Sequence, residues 1–463
     1  MIKKTLKKAT RRTLLAGIVA VAGIATSAQA ALPIQQWTLA NGAKIYLVAT
    51  NALPIVDVQI DFDAGSRRDP APQAGLASTT ATMVEKGVRA GKGGEPALDQ
   101  NALGEAWADL GASFDVSAGT DRTSYSLRTL SDPALLNKAV ALAAREIGEP
   151  SFPDDVWRRE RERIGAAIKE ANTKPATIVG RAFAQAVYGV HPYGQEVTEE
   201  TLARIDTATM RQRYEQLIVP CRAKLSIVGA VTRAEAQTLA TTLLSRLPAS
   251  SDGACPPLPA IAPVAALTAP KNERIAFDSA QAHVLVGQPG YPRKDPDHFA
   301  LTLGNYVLGG GGFVSRLMNE VREKRGLTYS IYSGFAPGLD AGAFRVGFQT
   351  RPDQAEEAVK VSREVLAKFV AEGPTASELK AAKDNLIGGF PLLLDSNRKL
   401  IGNVANIAWH DLPLDYLDTW TARMNAVTAA DVKAAFQRKL QPERMVTVVV
   451  GGKDARTAAK AQQ

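Results

Sequence analysis

The order of apolar patterns in this chain runs twice, and that repetition constrains the architecture more than any local propensity. In the first half, ASFDVSAGTDRTSYSLRTLSDPALLNKAVALAAREI reads as strand, strand and helix, followed by the helical stretch VWRRERERIGAAIKEA. In the second, YSIYSGFAPGLDAGAFRVGFQTRPDQAEEAVKVSREVLAKFV followed by ASELKAAKDNLIGGF has the same order. Each half then closes on a helix and a strand, MRQRYEQLIVPCRAKLSIVGAV in one and VKAAFQRKLQPERMVTVVVGG in the other. Antiparallel strand pairs interleaved with helices predict an α+β fold of two homologous domains, each a mainly antiparallel sheet covered chiefly on one face by helices. The expected boundaries are 31–249 and 273–463, joined by the Pro- and Ala-rich linker 250–272.

Residues 1–30 read as an export signal. Lys3, Lys4, Lys7, Lys8, Arg11 and Arg12 precede the apolar run LLAGIVAVAGIA, and Ala28-Gln29-Ala30 suits signal peptidase, so cleavage is expected after Ala30. The pair Arg11-Arg12 also fits a twin-arginine signal, which leaves the general secretory and twin-arginine routes both open. The run is too short and weakly flanked for a stable membrane span, and no later run approaches spanning length. A periplasmic location is expected. Most of the formal net charge of +8 lies in this leader, so the remainder has no basic patch of the kind nucleic-acid binding requires. Cys221 and Cys255 could pair in an oxidising compartment, and their spacing is not that of a redox or zinc motif.

The segment Gly309 to Phe335, GGGGFVSRLMNEVREKRGLTYSIYSGF, joins a loop, a helix and a strand. Phe313, Leu317 and Val321, with Val314 and Met318, recur at helical steps and predict a helix over 313–325 with one apolar face, stopped by Gly326. The alternation of LTYSIYSGF predicts a strand with Leu327, Tyr329, Ile331 and Ser333 on one face. The glycines lack a following GK[ST], so their expected use is flexibility beside a substrate, giving a close backbone approach, rather than phosphate binding.

This segment resembles the C-terminal half of the pitrilysin/insulinase-family metallopeptidases, the group that includes the mitochondrial processing peptidases. There an Arg and a Tyr seven residues apart bind substrate backbone, and Arg322 and Tyr329 match in type and spacing. Both side chains can donate to peptide carbonyls whatever the substrate sequence. The resemblance covers essentially the whole chain beyond the leader and implies a half-clamshell in which two such chains enclose a peptide. It also implies that GASFDVSAGT, residues 111–120, is the edge strand to which a peptide adds.

Catalytic members carry an HxxEH zinc motif soon after a segment like AGSRRDPAPQAGLA, here Ala64 to Ala77. The matching positions hold Ser78, Ala81 and Thr82, which offer neither imidazole ligands nor a general base. The third ligand of the family, a Glu, falls near Ala167, with Glu170 the nearest carboxylate. His191, His283, His298 and His410 are too far apart in sequence to rebuild a local site; His191 is expected in a family-like loop, and His298 and His410 as surface or packing residues. Ser377-Glu378-Leu379-Lys380 fits the SxxK nucleophile pattern, but no KTG partner occurs and Thr375 with Glu378 makes a capping box.

The resemblance therefore implies a non-catalytic, substrate-binding subunit with no catalytic residue, metal or cofactor of its own, beside a homologous HxxEH-containing partner that holds zinc. The alternatives are a scaffold or assembly protein of the same fold and an autonomous peptidase with unrecognised catalytic residues. The leader makes its own expectation. Intact mass of the exported protein should place the first residue at Ala31, and a membrane-associated product retaining 1–30 would make the segment an anchor.

Overall fold

The computed structural model describes residues 33–91, 93–248 and 255–452; the export segment lies outside them. Its strands in chain order are β1 (Gln35–Thr38), β2 (Lys44–Ala49), β3 (Ile55–Phe62), the short pair β4 (Gly87–Val88) and β5 (Leu98–Asp99), β6 (Ser113–Ala118), β7 (Thr123–Leu130) and β8 (Lys224–Gly229) in the first half. The second half supplies β9 (Lys271–Ile275), β10 (Ala282–Tyr291), β11 (Ile331–Phe335), β12 (Gly342–Thr350) and β13 (Val446–Val450). The sheets are ordered β1-β2-β8-β3-β7-β6 and β11-β12-β10-β13-β9. Reversing the second aligns β2, β8, β3, β7 and β6 with β9, β13, β10, β12 and β11, and in both sheets the one parallel pairing falls at the same place, β2 with β8 and β9 with β13. The duplication read in the sequence is thus a duplication of topology, with β1 as an addition to the first sheet.

To the expected helices chiefly on one face, the structure adds a cover on the other. A sheet open on one side alternates buried and exposed residues, yet β13 (VTVVV) is buried throughout and β8 is buried from Leu225 onward. The second face is covered by a helix from the other half. Helix Pro175–Tyr188, started by Pro175 and ended at Gly189, presents Val179, Phe183 and Val187 at four-residue steps. These pack with Leu285, Ala343, Val446, Val448 and Val450 of the second sheet. Phe183 approaches so closely that a Cβ on Gly287 would meet its ring at 2.9 Å. Helix Asn397–Trp409, capped by Ser396, lies in turn on β8 and β3 of the first sheet. There Lys224 donates to the carbonyls of Ala408 and Trp409 at 2.8 and 3.1 Å and to Asp411 at 2.8 Å, satisfying groups left bare at the helix end.

The loop VYGVHPYG stitches the halves together. Tyr188 Oη accepts from the Ala343 N–H at 2.7 Å. Tyr193 Oη donates to Asp121 at 2.7 Å and accepts from the Asp340 N–H at 3.0 Å. His191 is buried there, its Nδ1 accepting from the Tyr193 N–H at 3.1 Å. Cys221 and Cys255 are disulfide-bonded, which ties the start of the described linker to the first half. Residues 255–270 have no regular structure, and β9 begins at Lys271, inside the expected linker boundary. Among the described residues no helix is long and apolar enough to cross a membrane.

Because Phe183 is the apolar plug between the first half and the second sheet, Phe183→Ala should cost about 3–5 kcal/mol in urea unfolding. A loss below about 1 kcal/mol would mean that the second sheet does not depend on this helix.

Candidate functional site

Ser78, Ala81 and Thr82 sit on helix Leu76–Val84. Its entry is tightly held: Gly75 takes φ +102°, a left-handed conformation open to glycine. Asp69 accepts from the Gly75 and Ala77 N–H groups at 3.0 and 3.1 Å, and Arg213 pairs with Asp69 at 2.8 Å. Arg67 and Arg68 both donate to Asp63. The frame of the helix is therefore rigid, but its side chains carry no metal chemistry. Ser78 Oγ donates back to the Gly75 carbonyl at 2.9 Å and Thr82 Oγ1 to the Ser78 carbonyl at 3.0 Å. Ala81 is 3% exposed and faces a small cavity shared with Thr80, Tyr125 and Tyr214. This donor set does not fit zinc, and no group of three or more metal-capable side chains occurs among the described residues.

Glu170, the expected carboxylate nearest the third ligand position, points away. Its side chain is 70% exposed and pairs with Lys174 at 2.7 Å. On the same helix, Asp154–Ala171, it is Glu160 that meets the degenerate region, pairing with Lys86 at 3.5 Å. The face carrying Glu160 turns inward while that carrying Glu170 is solvated.

Beside the Leu76–Val84 helix runs β6, an edge strand of the first sheet, as the resemblance implied. Glu85, the residue after the helix, accepts a hydrogen bond from the Val116 N–H at 2.9 Å. Burial pushes the Glu85 carboxyl up; the Val116 N–H and Lys86 oppose this, and Asp115 adds to it. Deeper lies Glu146, 1% exposed, which accepts from the indole N–H of Trp107.

In the second half, the helix expected over 313–325 is broken at its start. Gly312–Val314 forms a single 3-10 turn, and Ser315 is extended at ψ 154°. Ser315 then caps the next turn, its carbonyl accepting from the Asn319 N–H at 3.0 Å, and the chain continues through a π-helical turn at Met318–Glu323. Leu317, Met318 and Val321 are buried as expected, but Phe313 and Val314 are 70% and 76% exposed. Gly326 ends the turn at φ +63°. Gly309 lies against β11, where a Cβ would meet Ser333 N at 2.5 Å, so the close approach there is to the chain's own strand.

Arg322 and Tyr329 both line one cleft of about 380 Å³ with Gln281, Thr328, Gln349 and Arg351. Tyr329 is 86% exposed, not on the buried face with Leu327 and Ile331, because the strand starts only at Ile331. Thr328 Oγ1 bonds to the Ser330 and Gln349 carbonyls at 2.9 and 2.6 Å, which turns the backbone and throws Tyr329 outward. Arg322 donates to Glu323 at 2.7 Å and lies 4.7 Å from the Phe313 ring centre, a cation–π contact.

The comparisons with known proteins agree with these elements. Residues 44–201 match the family described as Insulinase (Peptidase family M16), and residues 204–386 match Peptidase M16 inactive domain. A solved structure of a peptidase M16 inactive domain from Pseudomonas fluorescens is 33% identical, with TM-score 0.84, covering 91% of this chain and 99% of that one. The chain belongs to peptidase family M16. Two further M16 relatives differ in what they are called. A Streptomyces coelicolor protein described as an uncharacterized zinc protease is 26% identical over 91% of this chain and 90% of its own length. The non-peptidase homolog YmxG of Helicobacter pylori is 21% identical over 89% and 93%.

The remaining motifs have structural duties. Thr375 and Glu378 form the expected capping box at the start of helix Ala376–Gly389, and Arg316 makes a two-pronged contact to Glu378 at 2.8 and 2.7 Å. That contact holds the Glu378 carboxyl down to about 2. His298 is bonded to Tyr291 at 3.1 Å, and His410 is buried against the first half, so both are packing residues. Glu85 and Arg316 were not anticipated, since each acts through a contact distant in sequence.

Glu146 generates a pH test. Burial raises its carboxyl to about 8 from an ordinary 4.5, against the Trp107 hydrogen bond and with help from Glu85. Between those values the unfolded chain releases the proton and the folded chain keeps it, so this group removes stability as pH climbs from about 4.5 to about 8. Glu146→Gln should therefore gain on the wild type in urea midpoint from pH 5 to pH 8 (roughly the same window). A constant offset across that range would mean Glu146 is ionised in the folded protein.

Proposed function

We propose that this chain is the non-catalytic, peptide-binding subunit of an exported heterodimeric zinc peptidase, working beside a homologous chain that retains HxxEH. One observation carries the reading: the Arg322/Tyr329 pair opens onto a cleft while positions 78, 81 and 82 offer no zinc donors. The exposed phenol and the guanidinium on the cleft wall suit the main chain of a peptide, since both donate to carbonyls and neither reads side chains. Such a grip would position the scissile bond at the partner's metal through binding energy remote from the chemistry. The Cys221–Cys255 disulfide supports an oxidising compartment, in keeping with the leader at 1–30 and a periplasmic location.

The ion pair of Arg322 with Glu323 favours a second reading, a scaffold of the same fold in which Arg322 has only a structural role. One measurement tests for an autonomous peptidase, and a second separates the two readings. The purified chain alone should hold substoichiometric zinc and cleave no peptide above background; one tight zinc with chelator-sensitive hydrolysis would make it an autonomous peptidase. In the complex with its HxxEH partner, Arg322→Ala should lower kcat/KM by roughly 10- to 150-fold, equivalent to about 1.5–3 kcal/mol for a charge-assisted hydrogen bond. Tyr329→Phe should cost less, about 0.5–1.5 kcal/mol, and the two should be non-additive. Near-wild-type turnover by the double variant in an intact complex would leave the scaffold reading standing.

A further inference from the structure

The edge strand β6 is partly spoken for within this chain. In an antiparallel edge, alternate residues turn both N–H and C=O outward, and the outward series here runs through Phe114, Val116 and Ala118. Just beyond its C-terminal end, the chain pairs with itself: the Ser66 and Arg67 N–H groups donate to the carbonyls of Gly119 and Thr120, each at 2.9 Å. A guest strand would have to pair across residues 114–118, and Val116 is the middle donor of that stretch. Its N–H is already given to Glu85 Oε1 at 2.9 Å.

Glu85 is well placed to stay there. It is the C-terminal cap of the Leu76–Val84 helix, whose start is clamped by Asp69, so its backbone is fixed relative to β6. The next residue, Lys86, is anchored to Glu160 at 3.5 Å with both side chains largely buried. The carboxylate is therefore an acceptor delivered to the edge by a rigid helix, not a mobile surface group.

We infer that Glu85 is an intramolecular edge plug: its carboxylate takes the place of the carbonyl that an added peptide strand would offer to Val116, closing the first-half edge of this chain to strand addition. The inference goes beyond the subunit assignment and concerns the chain taken alone. Where that assignment also holds, Glu85 decides that the peptide pairs with the partner's edge and meets this chain only at the second half. A single carboxylate thus does what shortened or charged edges do elsewhere, preventing unwanted pairing of an exposed strand.

The test uses the purified chain with Glu85→Ala, which removes the acceptor, and Glu85→Gln, which keeps a carbonyl oxygen for Val116. Amide hydrogen exchange at Val116 should quicken roughly tenfold or more in the Ala variant and stay close to wild type in the Gln variant. A fluorescein-labelled peptide of alternating threonine and valine, followed by anisotropy, should bind the Ala variant at least about tenfold more tightly than the other two. Unchanged Val116 exchange in the Ala variant, or equal peptide binding by all three proteins, overturns the plug. If Glu85→Ala does not fold, Glu85→Leu keeps the bulk without the acceptor and is read the same way. Because the assay contains no partner chain, failure here leaves the Arg322 result in the complex untouched.

Discussion

Helix Pro175–Tyr188 covers the second sheet and helix Asn397–Trp409 covers the first, and the rest of the structure is arranged around that exchange. Neither half can dry both faces of its central strands by itself. The runs LSIVG in β8 and VTVVV in β13 would leave one apolar face in water without the borrowed helix, at a cost of about 25 cal/mol for each Å² exposed. The polar contacts follow the same plan. Lys224 and Arg122 flank the Trp409 ring at 5.7 and 5.5 Å, and Arg122 also pairs with the buried Asp61 at 3.0 Å. Asp411, in a left-handed conformation at φ 42°, is held by Lys224, so the strain of a non-glycine residue there is met by an ion pair across the halves.

Helix Leu76–Val84 is firmly held from within the first half, although Ser78, Ala81 and Thr82 offer no zinc donors. The clamp formed by Asp69, Arg213 and the Gly75 turn fixes the helix against β6, and the same rigidity that would aim a ligand set now aims Glu85 at Val116. The frame stands without imidazoles because it is maintained by core packing: Leu76, Ala81, Met83 and Val84 all belong to the first-half core. The hydroxyls of Ser78 and Thr82 turn back onto helix carbonyls.

Much of this was legible from residue order. The duplication, the helix stop at Gly326, the capping box at Thr375 and Glu378, and the lack of donors at Ser78, Ala81 and Thr82 are local properties, decided by periodicity, backbone preference and side-chain chemistry. The errors lie where a neighbour distant in sequence, or a local cap, overruled the periodic pattern. Phe313 and Val314 share the helical spacing of Leu317 and Met318, but the Ser315 cap starts the helix after them and leaves them exposed. Tyr329 fits the alternation of its segment, but the hydrogen bond from Thr328 to Gln349, on the neighbouring strand, turns it outward. Glu170 was the nearest carboxylate by position, whereas the packing of its helix brings Glu160 inward.

By itself the sequence determined that this chain has two matching α+β halves in family M16, that Ser78, Ala81 and Thr82 offer neither imidazole nor carboxylate, and that an Arg/Tyr pair flanks one turn. Only the tertiary structure decided that each half borrows a helix from the other, that Glu85 caps the β6 edge, and that Tyr329 stands in an open cleft. The reason is physical. Periodicity tells a helix or strand which face must be buried, but the burial free energy is non-directional and names no partner. The partner is chosen by shape and by hydrogen bonds between residues far apart in the chain, as between Phe183 and Gly287 or Glu85 and Val116.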